Sequence, residues 1–100
     1  MGSYSESESE LAESLTIRRA LAEKSPDVYN PDVATTLYNL ALLYYQTERF
    51  GLAKEKLLEF VKLYEQLPEV IRRSKAKQFE SAKKLLVEIC EKEKTRSNGA

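Results

Sequence analysis

The chain has no histidine, no tryptophan, one cysteine and only three glycines among its 100 residues. Without histidine it lacks the commonest general base and a frequent metal ligand. The scattered glycines form no phosphate-binding loop, and no nucleophile has an identifiable base beside it. These absences predict a protein that is not an enzyme, with no catalytic residues, no metal site and no cofactor.

The single cysteine, Cys90, has no partner for an internal disulfide. It lies beside Leu86 and Ile89 in the sequence, and this setting predicts a small buried apolar side chain rather than a reactive thiol. Stability is therefore not expected to depend on an oxidising compartment.

Long apolar runs and a net charge are also missing. No run approaches the roughly 20 residues that span a bilayer, and no signal peptide is recognisable, which predicts a soluble cytoplasmic protein without a membrane partner. The 16 Lys and Arg residues balance the 16 Asp and Glu residues. This balance argues against a molecule that binds nucleic acid or anionic lipid through its overall charge.

The chain begins with Met-Gly-Ser, typical of a tag remnant, and continues with alternating serine and glutamate, so residues 1–9 are predicted to be a flexible acidic N-terminus. Ser7 and Glu10 have the spacing of a capping box, which predicts a first helix over 8–24. Its apolar face comprises Leu11, Leu15 and Ala22, flanked by Ile17 and Leu21.

The segment 25–30 contains Pro26 and ends at the dipeptide Asn30-Pro31, which predicts a short connection. Asn30 is a good N-cap and Pro31 suits the first helical position, so a second helix is expected to begin there and to end near Thr47. Its apolar face comprises Val33, Leu37, Leu40, Ala41 and Tyr44.

Residues 47–49 form a short turn before a third amphipathic helix over 50–66, and so short a link forces the two helices antiparallel. After Pro68 an apolar stripe of Phe79, Ala82, Leu86 and Ile89 predicts a C-terminal helix over 69–94, either in one piece or broken near Arg73-Ser74. The tail 96–100 is predicted to be disordered. The fold class is all-α, with about four helices in one domain over 10–95.

The central stretch 31–67 resembles a tetratricopeptide repeat of the kinesin-light-chain-like branch, most closely in DVATTLYNLALLYY. Packing positions of that repeat are matched by Leu37, Leu40, Ala41, Tyr44, Ala53, Leu57 and Phe60, although Phe60 replaces a usual alanine. The resemblance implies antiparallel helix hairpins of a short α-solenoid. Residues 11–24 would be the second helix of an incomplete preceding repeat, and the basic C-terminal helix a cap.

The same resemblance implies a protein–protein interaction scaffold with a concave groove for a peptide or partner protein. The matching groove positions are Thr35, Tyr38, Asn39, Leu42, Tyr45 and Gln46. Asn39 carries the strongest expectation, because its amide can both donate to and accept from a peptide backbone. Lys77 or Lys83 would be the source of a positive charge from the last helix, with the register open.

Two other readings remain open. Leu42 lies off the main apolar face, where a four-helix bundle would leave it exposed, so a homodimer or larger oligomer through Leu42 is one alternative. The acidic N-terminal part of one chain would then be able to attract the basic C-terminal part of another. Nucleic acid is a weaker alternative, because residues 72–100 carry nine Lys or Arg against four Glu.

Overall fold

The computed structural model describes the backbone of residues 2–99 and the side chains of residues 4–95. The described chain is all-α, without a strand, and its helices pack against their neighbours in chain order. The five helices are α1 (Gly2–Lys24), α2 (Pro26–Gln46), α3 (Phe50–Gln66), α4 (Glu69–Ser74) and α5 (Ala76–Gly99). Among the residues described, no helix is long and apolar enough to cross a membrane.

Helix α1 begins at Gly2, so the predicted start at the Ser7–Glu10 capping box is wrong. Inside a continuous helix the backbone N–H groups that such a box would satisfy already bond to carbonyls one turn earlier. The predicted end at Lys24 is confirmed. Met1 of the predicted flexible segment 1–9 lies outside the described residues.

The early start of α1 is accompanied by an ion pair to the turn between α2 and α3. The Arg49 guanidinium lies 2.7 Å from the Glu8 carboxylate and 4.8 Å from the centre of the Tyr44 ring. The hydrogen bond from Arg49 lowers the pKa of Glu8, against a smaller opposing effect of burial. Glu8 therefore connects the first turns of α1 to the rest of the fold.

We expect this ion pair to make stability depend on acid pH. Because folding lowers the Glu8 pKa, the contribution is present above the ordinary carboxyl pKa and is lost as pH falls through the folded value, below about pH 4. Urea unfolding at neutral and acid pH should show a smaller acid loss for Glu8→Gln than for the wild type. Glu13→Gln is the matched control, because Glu13 is exposed and has no ion pair among the described residues; equal acid losses in all three proteins would contradict the expectation.

Helix α2 begins at Pro26, so the predicted connection over 25–30 and the predicted N-cap at Asn30 are wrong. Only Ser25 separates α1 from α2, and its φ of −141° and ψ of 74° lie outside the helical region, which the residue before a proline avoids. Pro26 takes the first helical position, where its missing N–H is not needed. Pro31 lies inside the helix, where it leaves the Asp27 carbonyl without its usual donor.

The turn between α2 and α3 closes as a Schellman motif. The Arg49 N–H donates to the Tyr44 carbonyl at 2.8 Å, and the Glu48 N–H donates to the Tyr45 carbonyl at 3.1 Å. Glu48 has a φ of 61°, the left-handed conformation that this motif requires and that glycine usually provides. The predicted third helix over 50–66 is confirmed.

The core lies where α2 and α3 meet, and α1 and α5 cover its two sides. Small residues bring the helices together, since Ala41 and Ala53 are completely buried, and Leu57 and Phe60 fill the space beside them. The predicted apolar face of α2 is buried throughout. α1 contributes Leu15 and Ala22, and α5 contributes Ala82 and Ile89.

The C-terminal helix is broken at Lys75, which settles the alternative that the sequence left open. The Tyr64 hydroxyl donates to the Arg72 carbonyl at 2.9 Å, and this is the acceptor that a continuous helix would offer to the Ala76 N–H. The Tyr64 ring also stacks on Phe79, with centroids 4.1 Å apart. Tyr64 on α3 therefore holds both sides of the break and sets the direction of α5.

Two predictions about α5 are wrong. Cys90 is exposed rather than buried, because Ala82 and Ile89 define the face that packs on α3 and Cys90 lies beyond the edge of that face. The backbone remains helical to Gly99, so the predicted disorder over 96–100 is not found for the described part of that segment. Ala100 lies outside the described residues.

Candidate partner-binding groove

A shallow groove runs between α2 and α5, with α3 beneath it. We call it the α2–α5 groove, and it has a volume of about 290 Å³. Its lining residues are Tyr38, Leu42, Ser81, Lys84, Leu85 and Glu88. The groove exists because α5 packs on α3 through Ala82 and Ile89 and leaves its adjacent flank facing α2.

Two hydrogen bonds connect one wall of the groove to the other, one at each end of the opening. Towards the start of α5, the Lys75 ammonium donates to the Thr35 hydroxyl at 2.5 Å. Further along, the Tyr45 hydroxyl donates to the Glu88 carboxylate at 2.6 Å. Thr35 and Tyr45, both predicted to contact a ligand, are thus engaged with the chain itself.

The Tyr45–Glu88 bond is reflected in the titration of the tyrosine. Donation to the Glu88 carboxylate, which only the protonated hydroxyl provides, raises the pKa of Tyr45, and burial and the nearby negative charge add to the effect. The Tyr45–Glu88 hydrogen bond and an edge-on contact with the Phe50 ring, whose centroid lies 5.5 Å away, hold the Tyr45 side chain in place beside the groove.

Tyr38 and Leu42 are the two predicted site residues that line the groove. The Tyr38 ring packs against the buried Phe60 ring, with centroids 5.4 Å apart, which leaves its remaining surface towards the opening. Leu42 is half-buried because α5 lies across from it, so it is not the exposed residue that a simple bundle would leave. Together they provide an aromatic and an aliphatic surface on the α2 wall.

Asn39 and Gln46 lie beside the groove rather than in it. Both are exposed on the ridge of α2 that borders the opening, and Asn39 is one turn from both Thr35 and Leu42. The Asn39 amide has no hydrogen-bond partner among the described residues. It is therefore free to meet a ligand that extends out of the groove across this ridge.

The α5 wall contains the residues that the sequence did not single out, namely Ser81, Lys84, Leu85 and Glu88. The sequence suggested Lys77 or Lys83 as the charged residue, but Lys83 lies over the Phe79 ring at 4.8 Å. Lys84 lines the groove and has no ion pair among the described residues. Lys84 can be assigned to the groove only when the rotation of α5 about its own axis is known. The break at Lys75 and the Tyr64–Phe79 stack determine that rotation.

A second cleft, of about 310 Å³, lies on the other side of the molecule between α1 and α3. Its apolar floor includes Val33 and Leu37, and its rim includes Lys62. The Arg19 guanidinium and the Glu59 carboxylate, 2.7 Å apart, bridge this cleft from α1 to α3. Although it is slightly larger, the bridge divides it, so the α2–α5 groove is the better candidate for a continuous ligand.

The described residues contain no group of three or more His, Cys, Asp or Glu side chains arranged to hold a metal ion. Comparisons of the chain with protein-family models, with curated proteins and with solved structures find no match. The interpretation of the groove therefore depends on its own chemistry. It combines an aromatic ring, two leucines, the Glu88 carboxylate that Tyr45 engages, the Lys84 ammonium and a neighbouring amide.

Proposed function

We propose that the chain is a non-catalytic interaction module that binds a peptide segment or a partner protein at the α2–α5 groove. The observation that carries the proposal is the free Lys84 ammonium beside the apolar surface of Tyr38, Leu42 and Leu85. An extended segment with an apolar side chain followed by a carboxylate matches this surface, because the leucines and the ring take the side chain and the ammonium takes the charge.

The resemblance of 31–67 to tetratricopeptide repeats supports the same proposal, since the row of α2 that lines and borders the groove corresponds to the ligand-binding row of that family. That the chain belongs to the tetratricopeptide-repeat family is itself part of the proposal. A cytoplasmic location stays a prediction.

The first test is a screen of short unstructured peptides that vary in charge and in apolar content, followed by titration of those retained. We expect the retained peptides to pair an aliphatic side chain with an acidic group. Lys84→Glu should weaken their binding by about tenfold or more, since it replaces an attraction with a repulsion. Asn39→Ala should weaken binding less, because it removes only a neutral hydrogen-bonding group.

Lys62→Glu is the matched control, because it makes the same charge change at the α1–α3 cleft. Binding that survives Lys62→Glu and falls with Lys84→Glu supports the α2–α5 groove. The reverse pattern would move the site to the α1–α3 cleft, and equal affinity for all four proteins would remove both surfaces from the proposal. Circular dichroism of each variant should be unchanged, because Lys62 and Lys84 are exposed.

A further inference from the structure

The α5 wall of the α2–α5 groove carries two opposite charges. Lys84 and Glu88 both line the groove, and because they are four residues apart their levels differ by about 6 Å along the helix axis. They form no ion pair with each other in the part of the chain that the structure describes, and a lysine four residues before a glutamate is the less favourable order for such a pair. Glu80, one turn before Lys84, pairs with Lys83 instead.

The Glu88 carboxylate has one oxygen left for a ligand. The Tyr45 hydroxyl donates to its Oε2 at 2.6 Å, and its Oε1 accepts no hydrogen bond from the described residues. Beside this bond lies a second opening, of about 400 Å³, which is lined by Tyr45, Glu88, Glu91 and Lys92. The Lys92 ammonium lies over the Phe50 ring, 5.5 Å from its centre. Two carboxylates, Glu88 and Glu91, therefore line this end, which we call the acidic end of the groove.

The two walls of the groove run parallel. One of the hydrogen bonds between them joins the first half of α2 to the start of α5, and the other joins the last turn of α2 to the middle of α5. The second bond is that of Tyr45 with Glu88. One turn earlier on the two helices come Leu42 and Lys84, which both line the groove. Leu42 therefore faces the stretch of α5 that begins at Lys84.

An extended peptide matches the separation of the two charges. Successive residues of an extended chain are about 3.3 Å apart and point to opposite sides, so residues two apart lie about 6.6 Å apart on the same side. This distance is close to the roughly 6 Å between the levels of Lys84 and Glu88. A basic and an acidic side chain two residues apart can thus both face α5, while the residue between them faces Leu42.

We propose that the partner of the α2–α5 groove is an extended segment with a basic, an apolar and an acidic side chain in succession. The basic group lies at Glu88 and Glu91, at the acidic end of the groove. The apolar side chain packs on Tyr38 and Leu42, and the acidic group lies at Lys84. The inference rests on the proposed function, because it specifies the partner of the same groove. The reverse order of the three residues fits when the segment runs in the opposite direction.

The test titrates labelled peptides into the protein and follows fluorescence polarisation. The parent peptide has Lys-Leu-Asp between neutral flanks, and the comparison peptide has Gln-Leu-Asp. The wild type should bind the parent about threefold to tenfold more tightly, because two carboxylates line the acidic end, and this preference should shrink as salt screens the charges. A peptide with a second leucine before the aspartate should lose the preference, since the odd spacing turns its lysine away from α5.

Substitutions on the protein locate the preference. Glu88→Gln should remove most of it and Glu91→Gln a part, while glutamine at 88 still offers an oxygen to the Tyr45 hydroxyl. Tyr45→Phe should keep the preference, because the charge of Glu88 remains. Glu80→Gln is the matched control, since it removes a carboxylate of the same helix that pairs with Lys83 and does not line the groove. It should bind both peptides as the wild type does.

The outcomes separate this inference from the proposed function. If the two peptides bind equally and Lys84→Glu weakens both, the groove takes an acidic segment without recognising the basic residue, so the inference is wrong and the proposed function stands. If neither peptide binds, or neither responds to Lys84→Glu, both fail. Sedimentation of the protein alone provides the last check, because a dimer that the peptides do not dissociate would mean that a second copy covers Leu42 and would overturn the inference.

Discussion

Phe60→Ala should destabilise the protein by about 3–5 kcal/mol, a large part of the roughly 5–15 kcal/mol expected for a domain of this size. Phe60 is completely buried, and its ring lies 5.4 Å from Tyr38 and 6.1 Å from Tyr64. Removing it leaves a cavity between α2 and α3 that two large rings cannot fill without moving. Urea and thermal unfolding followed by circular dichroism would measure the loss, with a melting temperature lower by roughly 12–40 °C.

This result would decide between the structure and the repeat pattern. A tetratricopeptide repeat usually has alanine at the position of Phe60, so the pattern alone predicts that the substitution is harmless. Leu58→Ala is the matched control on the same helix, because Leu58 is 52% exposed and should change stability by less than about 1 kcal/mol. If Phe60→Ala behaved like Leu58→Ala, the aromatic packing beneath the groove would be wrong.

The substitution should also affect binding at the α2–α5 groove. Tyr38 rests on Phe60, so a cavity below Tyr38 would allow its ring to sink away from the opening. Peptides selected by the wild type should therefore bind more weakly to Phe60→Leu, which keeps much of the buried volume and remains folded. This links one core residue to the proposed function.

The central helices could be predicted because their signals are local. Helix α3 has its stripe of Ala53, Leu57 and Phe60 at helical spacing, and both of its ends are close to turn signals. The buried face of α2 follows from the same periodicity. These features depend on residues that are near one another in the sequence.

Two of the errors lie where residues far apart in the sequence make contact. α1 runs through an acidic stretch that has no apolar pattern of its own, and Glu8 in that stretch pairs with the distant Arg49. The α4–α5 break depends on the Tyr64 hydroxyl, and nothing in the sequence near Lys75 fixes the break there. The break sets the rotation of α5, so the sequence indicated Tyr38 and Leu42 on the α2 wall of the groove and missed Lys84 on the other wall.

Pro31→Ala should stabilise the protein by about 2 kcal/mol, which is an unusual direction for a change at a half-buried position. In a continuous helix from Pro26 to Gln46, Pro31 removes one hydrogen bond and crowds the Asp27 carbonyl, at a cost of roughly 3 kcal/mol. Alanine restores the N–H, and the greater freedom of the unfolded chain offsets about 0.4–1 kcal/mol of this gain. Denaturant unfolding of both proteins would measure the difference.

The start of α2 predicted from the sequence gives the opposite sign for the change in stability on Pro31→Ala. If α2 began at the Asn30 cap, Pro31 would occupy the first helical position, and its replacement would be neutral or slightly destabilising because only the restriction of the unfolded chain would be lost. Pro26→Ala is the reference within the same chain for replacing a proline at the first helical position, because Pro26 holds the first position of α2. Asn30→Ala separates the two cases independently, because a lost N-cap costs about 1 kcal/mol whereas an interior alanine favours the helix. A stabilising Pro31→Ala together with a non-destabilising Asn30→Ala would establish that α2 is continuous through the two prolines.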